Sequence, residues 1–253
     1  MFDLITQPTL RDEQVVARSQ RDEVVGIVGG MGPLSSAEFL KAIYENSLRE
    51  REQETPKVIM YSDPTIPDRT DAILSGDSSA VLDKLVSSLR ALSFLGATQM
   101  IVCCVTAHKL LKDLPPDLKV KLVSLVDIIF EQLIQSPEKR LLVCSKGTRQ
   151  TRLFEDHELW PAVREHIILP DERDQDIIHH EFIYKIKNTP NVYELAPILK
   201  SLLAKYRVDS FISGCTEMHI VARRLVFTNG NGNKHRNIDP LSIIAERIGA
   251  GTL

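Results

Sequence analysis

The 253-residue chain sets 31 Lys and Arg against 34 Asp and Glu, a formal charge of −3, and 43% of its residues are hydrophobic. That balance excludes a strongly basic nucleic-acid binder, and the composition excludes disordered, collagenous and disulfide-dense classes. Apolar stretches break well short of the roughly 20 residues that a membrane span needs, and the acidic start, Met1-Phe2-Asp3, lacks the form of a signal peptide, so a cytoplasmic protein is expected.

Residues 1–22 carry charge without a sustained period and are read as an N-terminal extension. Val24-Val25-Gly26-Ile27-Val28-Gly29 is a short apolar run ending in glycine, the pattern of a buried parallel strand. A helix follows, with Ser35 or Ser36 as its expected cap and Phe39, Leu40, Ile43, Tyr44 and Leu48 at helical spacing. Lys57 to Tyr61 reads as a second strand, Asp63 to Thr70 as a Pro-studded loop, and Val81 to Leu92 as a helix stopping near Gly96. The third strand, Gln99 to Cys103, delivers Cys104, Val105, Thr106, Ala107 and His108 at its carboxyl end, where a helix with Leu110 and Leu111 begins.

The chain then starts again. Lys119 to Leu125 is read as a strand, Val126 to Leu133 as a helix, and Arg140 to Cys144 as a strand running into Lys146-Gly147-Thr148. Ile167 to Leu169 is a short strand, residues 174–187 and 192–205 are helical, and Val208 to Ser213 is a strand ending in Gly214-Cys215-Thr216-Glu217. Each half thus closes a strand with a Cys and a Thr, one α/β lobe apart, which suggests an internal duplication. The expected architecture is α/β: two pseudosymmetric, doubly wound lobes, each a mostly parallel sheet flanked by helices, with the active site between them. Lobe 1 spans 23–131 and is completed by 237–253, a unit of Asn237-Ile238-Asp239-Pro240 and a helix through Arg247; lobe 2 spans 132–236.

In open parallel sheets the ligand crevice lies beyond the carboxyl ends of the strands, so one interlobe cleft collects every Gly-rich or Cys/Thr-bearing loop. A Cys at a strand-to-helix junction meets helix N-terminal N–H groups, which favour the thiolate, and Cys104 and Cys215 both stand there. Cys103 and Cys144 lack such a match and are assigned to the core as free thiols. Adjacent Cys103 and Cys104 alternate faces of a strand and no Cys-x-x-Cys pair occurs, so no metal site is expected.

Five fragments stand in order: Gly29-Gly30-Met31-Gly32-Pro33-Leu34, Ile66-Pro67-Asp68-Arg69-Thr70, Cys104-Val105-Thr106-Ala107-His108, Gly147-Thr148-Arg149-Gln150-Thr151 and Gly214-Cys215-Thr216-Glu217. Together, from Val24 to Arg247, they resemble the aspartate/glutamate racemases that work without pyridoxal phosphate, and the aspartate racemase branch most through Pro67-Asp68-Arg69-Thr70. The resemblance implies cofactor-free racemisation of an acidic amino acid, aspartate before glutamate, with Cys104 and Cys215 as the two acid/base groups. It further implies that Thr106, Thr148 and Thr216 hold the α-carboxylate and ammonium, and that Arg69 and Lys187 bind the distal carboxylate. Gly30, Met31, Gly32 and Glu217 would support the site, and two-lobed relatives form homodimers. Val105 departs from the Asn usual at its position, leaving Ser62 or Asp63 as a substitute donor, and Pro240 follows Asp239 where a hydroxyl residue is usual.

Structural alternatives stand beside these roles: helix capping for the threonines and Asp239, a favourable helix C-terminus for Lys187, and structural burial for His108 and His219. A dinucleotide fold fails because Gly30 and Gly32 are followed by Ser35 rather than a third Gly. Rival functions are a related isomerase or decarboxylase acting on a dicarboxylate, and a catalytically impaired amino-acid-binding protein.

Overall fold

The computed structural model describes residues 23–189, 191–225 and 237–253; the N-terminal extension lies outside the described residues. Four strands, β1 (Val24–Gly29), β2 (Lys57–Ser62), β3 (Gln99–Val102) and β4 (Leu122–Val123), form a sheet of order β2-β1-β3-β4. A second sheet has the order β6-β5-β7, built from β5 (Arg140–Cys144), β6 (Ile167–Ile168) and β7 (Phe211–Gly214). All pairings between these strands are parallel, as near-continuous apolar runs covered on both faces require. Each lobe carries its own core. Leu85, Leu89, Val102 and Met100 pack in lobe 1, and Leu141, Val143, Phe182 and Phe211 in lobe 2.

A third cluster joins the lobes, combining Ile27, Phe39 and Ile101 with Phe130, Leu142 and Ile212. Helix α1 (Pro33–Asn46) lies against the C-terminal helix Pro240–Ala250 in this shared core. That last helix is reached through Ile238, which pairs with Ile212 of β7. The final unit therefore touches both lobes: its strand residue extends the second sheet while its helix packs on the first lobe.

Most elements fall where hydrophobic periodicity puts them, and the differences have local causes. Neither Ser35 nor Ser36 caps α1, because Pro33 occupies the first helical position and Gly32 becomes the cap residue. Ser36 instead takes the Gly30 N–H on its Oγ and donates to the Gly32 carbonyl. The loop before Thr70 ends in a short helix, α2 (Arg69–Leu74), because Asp68 caps it by accepting from the Thr70 and Asp71 N–H groups. Lys119 to Leu125 is mostly not strand. Pro116 starts a helical turn through Lys119, and only Leu122–Val123 pairs. The expected helix over 174–187 is a helix Glu172–Asp176, a π-helical stretch Ile177–Ile183 and a helix Tyr184–Asn188. Among the described residues no helix is long and apolar enough to cross a membrane, and no group of three or more His, Cys, Asp or Glu is placed to hold a metal.

Candidate active site between the lobes

The carboxyl ends of β3 and β7 place Cys104 and Cys215 on one small cavity. Lobe 1 lines it with Met31, Asp68, Arg69, Thr70, Cys104 and Thr106, and lobe 2 with Ser145, Lys187, Cys215 and Glu217. Thr148 and Thr216 stand behind this lining. Thr148 joins a buried hydroxyl cluster in which the Thr106 Oγ1 lies 2.8 Å from Ser145 Oγ and 2.9 Å from Thr148 Oγ1. Thr216 donates to the Cys103 carbonyl at 3.4 Å. None of the three threonine side chains caps a helix: Ser145 caps the helix Lys146–Gln150, and the caps at Val105 and Thr216 make no side-chain bond.

The two sulfurs have unlike neighbours. Arg69 faces Cys104. On the other lobe the Cys215 Sγ donates to Glu217 Oε2 at 2.8 Å. Burial, followed by the Glu217 carboxylate, pushes the Cys215 thiol well above the ordinary cysteine range, against the opposing charge of Lys187. The helix-terminus effect expected from sequence is therefore outweighed at Cys215, which is held as the thiol. Cys103 and Cys144 are fully buried in the core; burial raises both, Cys144 to about 12.

Glu217 is itself 2% exposed, and its Oε1 has no hydrogen-bond partner among the described residues. A Cβ on Gly32 would sit 2.5 Å from that oxygen, so any larger residue there displaces the carboxylate. Gly30 adopts φ +90°, and its absent side chain leaves room for the Asp63 backbone. These two glycines bring the loop after β1 down onto the cleft, with Met31 between them on the cavity wall.

Arg69 is not the solvated loop arginine that its sequence context allows. It is 8% exposed, donating from Nη1 to the Pro67 carbonyl at 3.0 Å and from Nη2 to the Met31 carbonyl at 3.2 Å. Its Nε has no partner among the described residues. Burial opposes its charge, but Cys104, Asp68 and Glu217 outweigh that and raise its pKa. Lys187 reaches across from lobe 2 to Asp68 Oδ2 at 3.4 Å and lies over the Tyr184 ring, 4.0 Å from its centroid. Burial likewise opposes the lysine's charge, and Glu217, Cys215 and Asp68 raise it above the usual range. Lys187 also stands in the last turn of its helix, the favourable position read from sequence.

Sequence reading missed Asp68, Thr70, Ser145 and Tyr184. Tyr184 donates to Asp68 Oδ2 at 2.9 Å. Asp68 and Ser145 carried a legible signal as helix caps after a proline loop and after a strand end; the part each plays at the cavity depends on the other lobe. The substitute donors for Val105 do not reach the cavity. Ser62 is exposed, and the Asp63 carboxylate accepts from Thr65 and Lys84 on the outer surface. Val105 itself is packed in the shared core. His108 is structural: its Nε2 accepts the Leu125 N–H, so the proton sits on Nδ1, which donates to the Cys104 carbonyl at 2.9 Å. Burial lowers its pKa to about 4.

The family model described as Asp/Glu/Hydantoin racemase matches residues 28–248. The broad specificity amino-acid racemase RacX of Bacillus subtilis (strain 168) is 21% identical over 206 residues, covering 78% of this chain and 87% of its own. The structure of Picrophilus torridus aspartate racemase superposes with a TM-score of 0.75 at 22% identity, covering 91% of this chain and 94% of its own. An aspartate racemase homologue from Pyrococcus horikoshii OT3 superposes with a TM-score of 0.62 at 18% identity, over 91% of this chain and 99% of its own.

Proposed function

Because the chain belongs to the Asp/Glu/hydantoin racemase family, we propose that it interconverts the enantiomers of an acidic amino acid, aspartate before glutamate, with Cys104 and Cys215 as the two acid/base catalysts. One observation carries this reading: the two cysteines, one from each lobe, line the same small cavity. Racemisation removes the Cα proton from one face and returns a proton to the other, so two groups must flank one carbon.

In one direction the Cys104 thiolate takes the Cα proton, and the electron pair left on Cα spreads into the α-carboxylate. The Cys215 thiol then gives its proton to the opposite face. Cys104 ends as the thiol and Cys215 as the thiolate, and the return reaction exchanges the roles. The two enantiomers have equal free energy in water, so the equilibrium constant is one. The carbanion is costly, and its stabilisation falls to hydrogen-bond donors fixed before reaction in a water-poor site. Thr70, Thr106 and Ser145 offer such donors at the cavity, with Thr148 and Thr216 fixing the loops behind them.

The dicarboxylate preference rests on Arg69 and Lys187, two cations on one small cavity. Presence of both cysteines favours racemisation over a one-base decarboxylation. The proposed enzyme works as a cytoplasmic homodimer without an added cofactor. The test is L-aspartate in deuterium oxide with wild type, Cys104→Ser and Cys215→Ser, followed by optical rotation and by NMR of the Cα proton. Wild type yields deuterated racemate and each variant racemises at least a hundredfold more slowly. Unimpaired racemisation by either variant refutes the assignment, and aspartate binding without Cα exchange in wild type would indicate the impaired binding protein.

A further inference from the structure

The helix Glu217–Arg224 begins directly after Cys215 and carries Glu217 on its first turn. Two residues on, His219 lies about 200° around the helix axis from Glu217. It is fully buried on the side away from the cavity, edge-on to Phe39 of α1 with 6.1 Å between ring centroids. Its Nδ1 lies 2.6 Å from Asp239 Oδ2, and Ser242 Oγ donates to the same oxygen at 2.6 Å. Among the described residues its Nε2 has no partner, so the imidazole is attached through Nδ1, closely to Asp239 and more distantly, at 3.5 Å, to Ser242 Oγ.

Asp239 occupies the cap position of the C-terminal helix but makes no side-chain cap bond. Its carboxylate is spent on His219 and Ser242 instead, against the capping role expected from sequence. The residue before it is held to β7 by two backbone bonds: the Ser213 N–H donates to the Ile238 carbonyl at 2.8 Å, and the Ile238 N–H to the Phe211 carbonyl at 3.0 Å. Asp239 is therefore fixed to the strand that ends in Cys215, and His219 is fixed to the helix that follows it. The His219 N–H donates to the Thr216 carbonyl, which carries the constraint back to the Cys-Thr-Glu turn.

We propose that His219 and Asp239 are positioning residues for Cys215: their buried bond locks the rotation of the Glu217–Arg224 helix and so holds the Glu217 carboxylate on the Cys215 thiol. The groups around Cys215 are Glu217, which restrains its ionisation, Lys187, which promotes it, and Cys104 across the cavity. Cys103 lies within the electrostatic reach of both Glu217 and Asp239. Around His219 stand Asp239, Ser242 and the Phe39 ring. Breaking the His219 bond frees the helix to turn, takes Glu217 off the thiol, and leaves Cys215 easier to ionise. Cys104 belongs to another strand end and keeps its own setting.

The link to catalysis rests on the two-cysteine reading, but the test does not need turnover. Iodoacetamide alkylation of Cys215 and Cys104 is followed against pH by peptide mass spectrometry in wild type, His219→Leu, His219→Asn and the double variant H219L/D239L. Removing both partners of the bond leaves an apolar contact, so the double variant remains a folded test if His219→Leu alone does not fold. The expected result is that the Cys215-to-Cys104 rate ratio at pH 8 rises about tenfold in His219→Leu and in the double variant. His219→Asn, whose amide can still donate to Asp239, stays within threefold of wild type. The proposal is overturned by an unchanged ratio in the folded double variant, by a parallel rise at both cysteines, or by His219→Asn matching His219→Leu. A wild-type protein that alkylates as expected but does not racemise removes the racemase reading alone.

Discussion

The Cys215 thiol donates to the buried Glu217 carboxylate at 2.8 Å, so the sulfur at the end of β7 is held by a carboxylate. Its counterpart Cys104 faces the cation Arg69. Two thiols related by the pseudosymmetry of the lobes thereby have unlike surroundings, one bonded to a carboxylate and one beside a guanidinium.

Glu217→Gln keeps the shape of this contact and removes its charge. The Cys215 thiol then ionises more readily, and its alkylation midpoint falls by at least one pH unit while that of Cys104 does not follow. Thiol alkylation against pH checks this; a midpoint that stays in place would mean that burial alone governs Cys215.

Arg69→Lys removes the guanidinium fork, and Lys187→Met removes one of the two cations on the cavity. For each, kcat/KM for aspartate falls roughly 10- to 100-fold, in line with loss of a charge-assisted contact of about 1.5–3 kcal/mol. Turnover of alanine, which has no distal carboxylate, changes far less. Steady-state kinetics on both substrates read the ratio, and equal losses on the two would argue against distal-carboxylate recognition.

Gly32→Ala places a Cβ 2.5 Å from Glu217 Oε1, closer than any side chain tolerates. Glu217, whose carboxylate end is the group met, must shift. A lower thermal midpoint together with a changed Cys215 alkylation rate is expected, whereas a variant with wild-type values for both would show the loop to be compliant.

His108 stays neutral in the fold, its pKa lowered by burial to about 4. In the unfolded chain the imidazole takes a proton near pH 6.5. Between those values the unfolded state binds more protons, so folding stability drops as pH falls from about 6.5 to 4, by about 3 kcal/mol from this residue alone. Urea unfolding of wild type and His108→Gln at pH 7 and pH 4.5 measures the difference. The variant is less stable at pH 7 and loses less on acidification.

Much of this protein is written locally. Val24 to Gly29, the run Gln99 to Val102 and Arg140 to Cys144 read as buried parallel strands because strands covered on both faces need unbroken apolar residues. The placement of Cys104 and Cys215 at strand ends follows from those runs, as does their meeting at one cleft, since parallel sheets present their carboxyl ends to a common crevice. Where local signals competed, as with Pro33 against Ser35 at the start of α1 or Pro116 just before an expected strand, proline decided the outcome by fixing the backbone.

The sequence by itself determined the α/β architecture, the two lobes and the pair of cysteines, because periodicity and strand-end chemistry are properties of neighbouring residues. Only the tertiary structure decided what surrounds those cysteines. Glu217 on Cys215, Arg69 beside Cys104, Asp68 between Tyr184 and Lys187, and His219 on Asp239 include partners up to 119 residues apart. Charge and hydrogen bonding act through space over a few ångströms, and the energy of each contact depends on how much water the fold has removed around it.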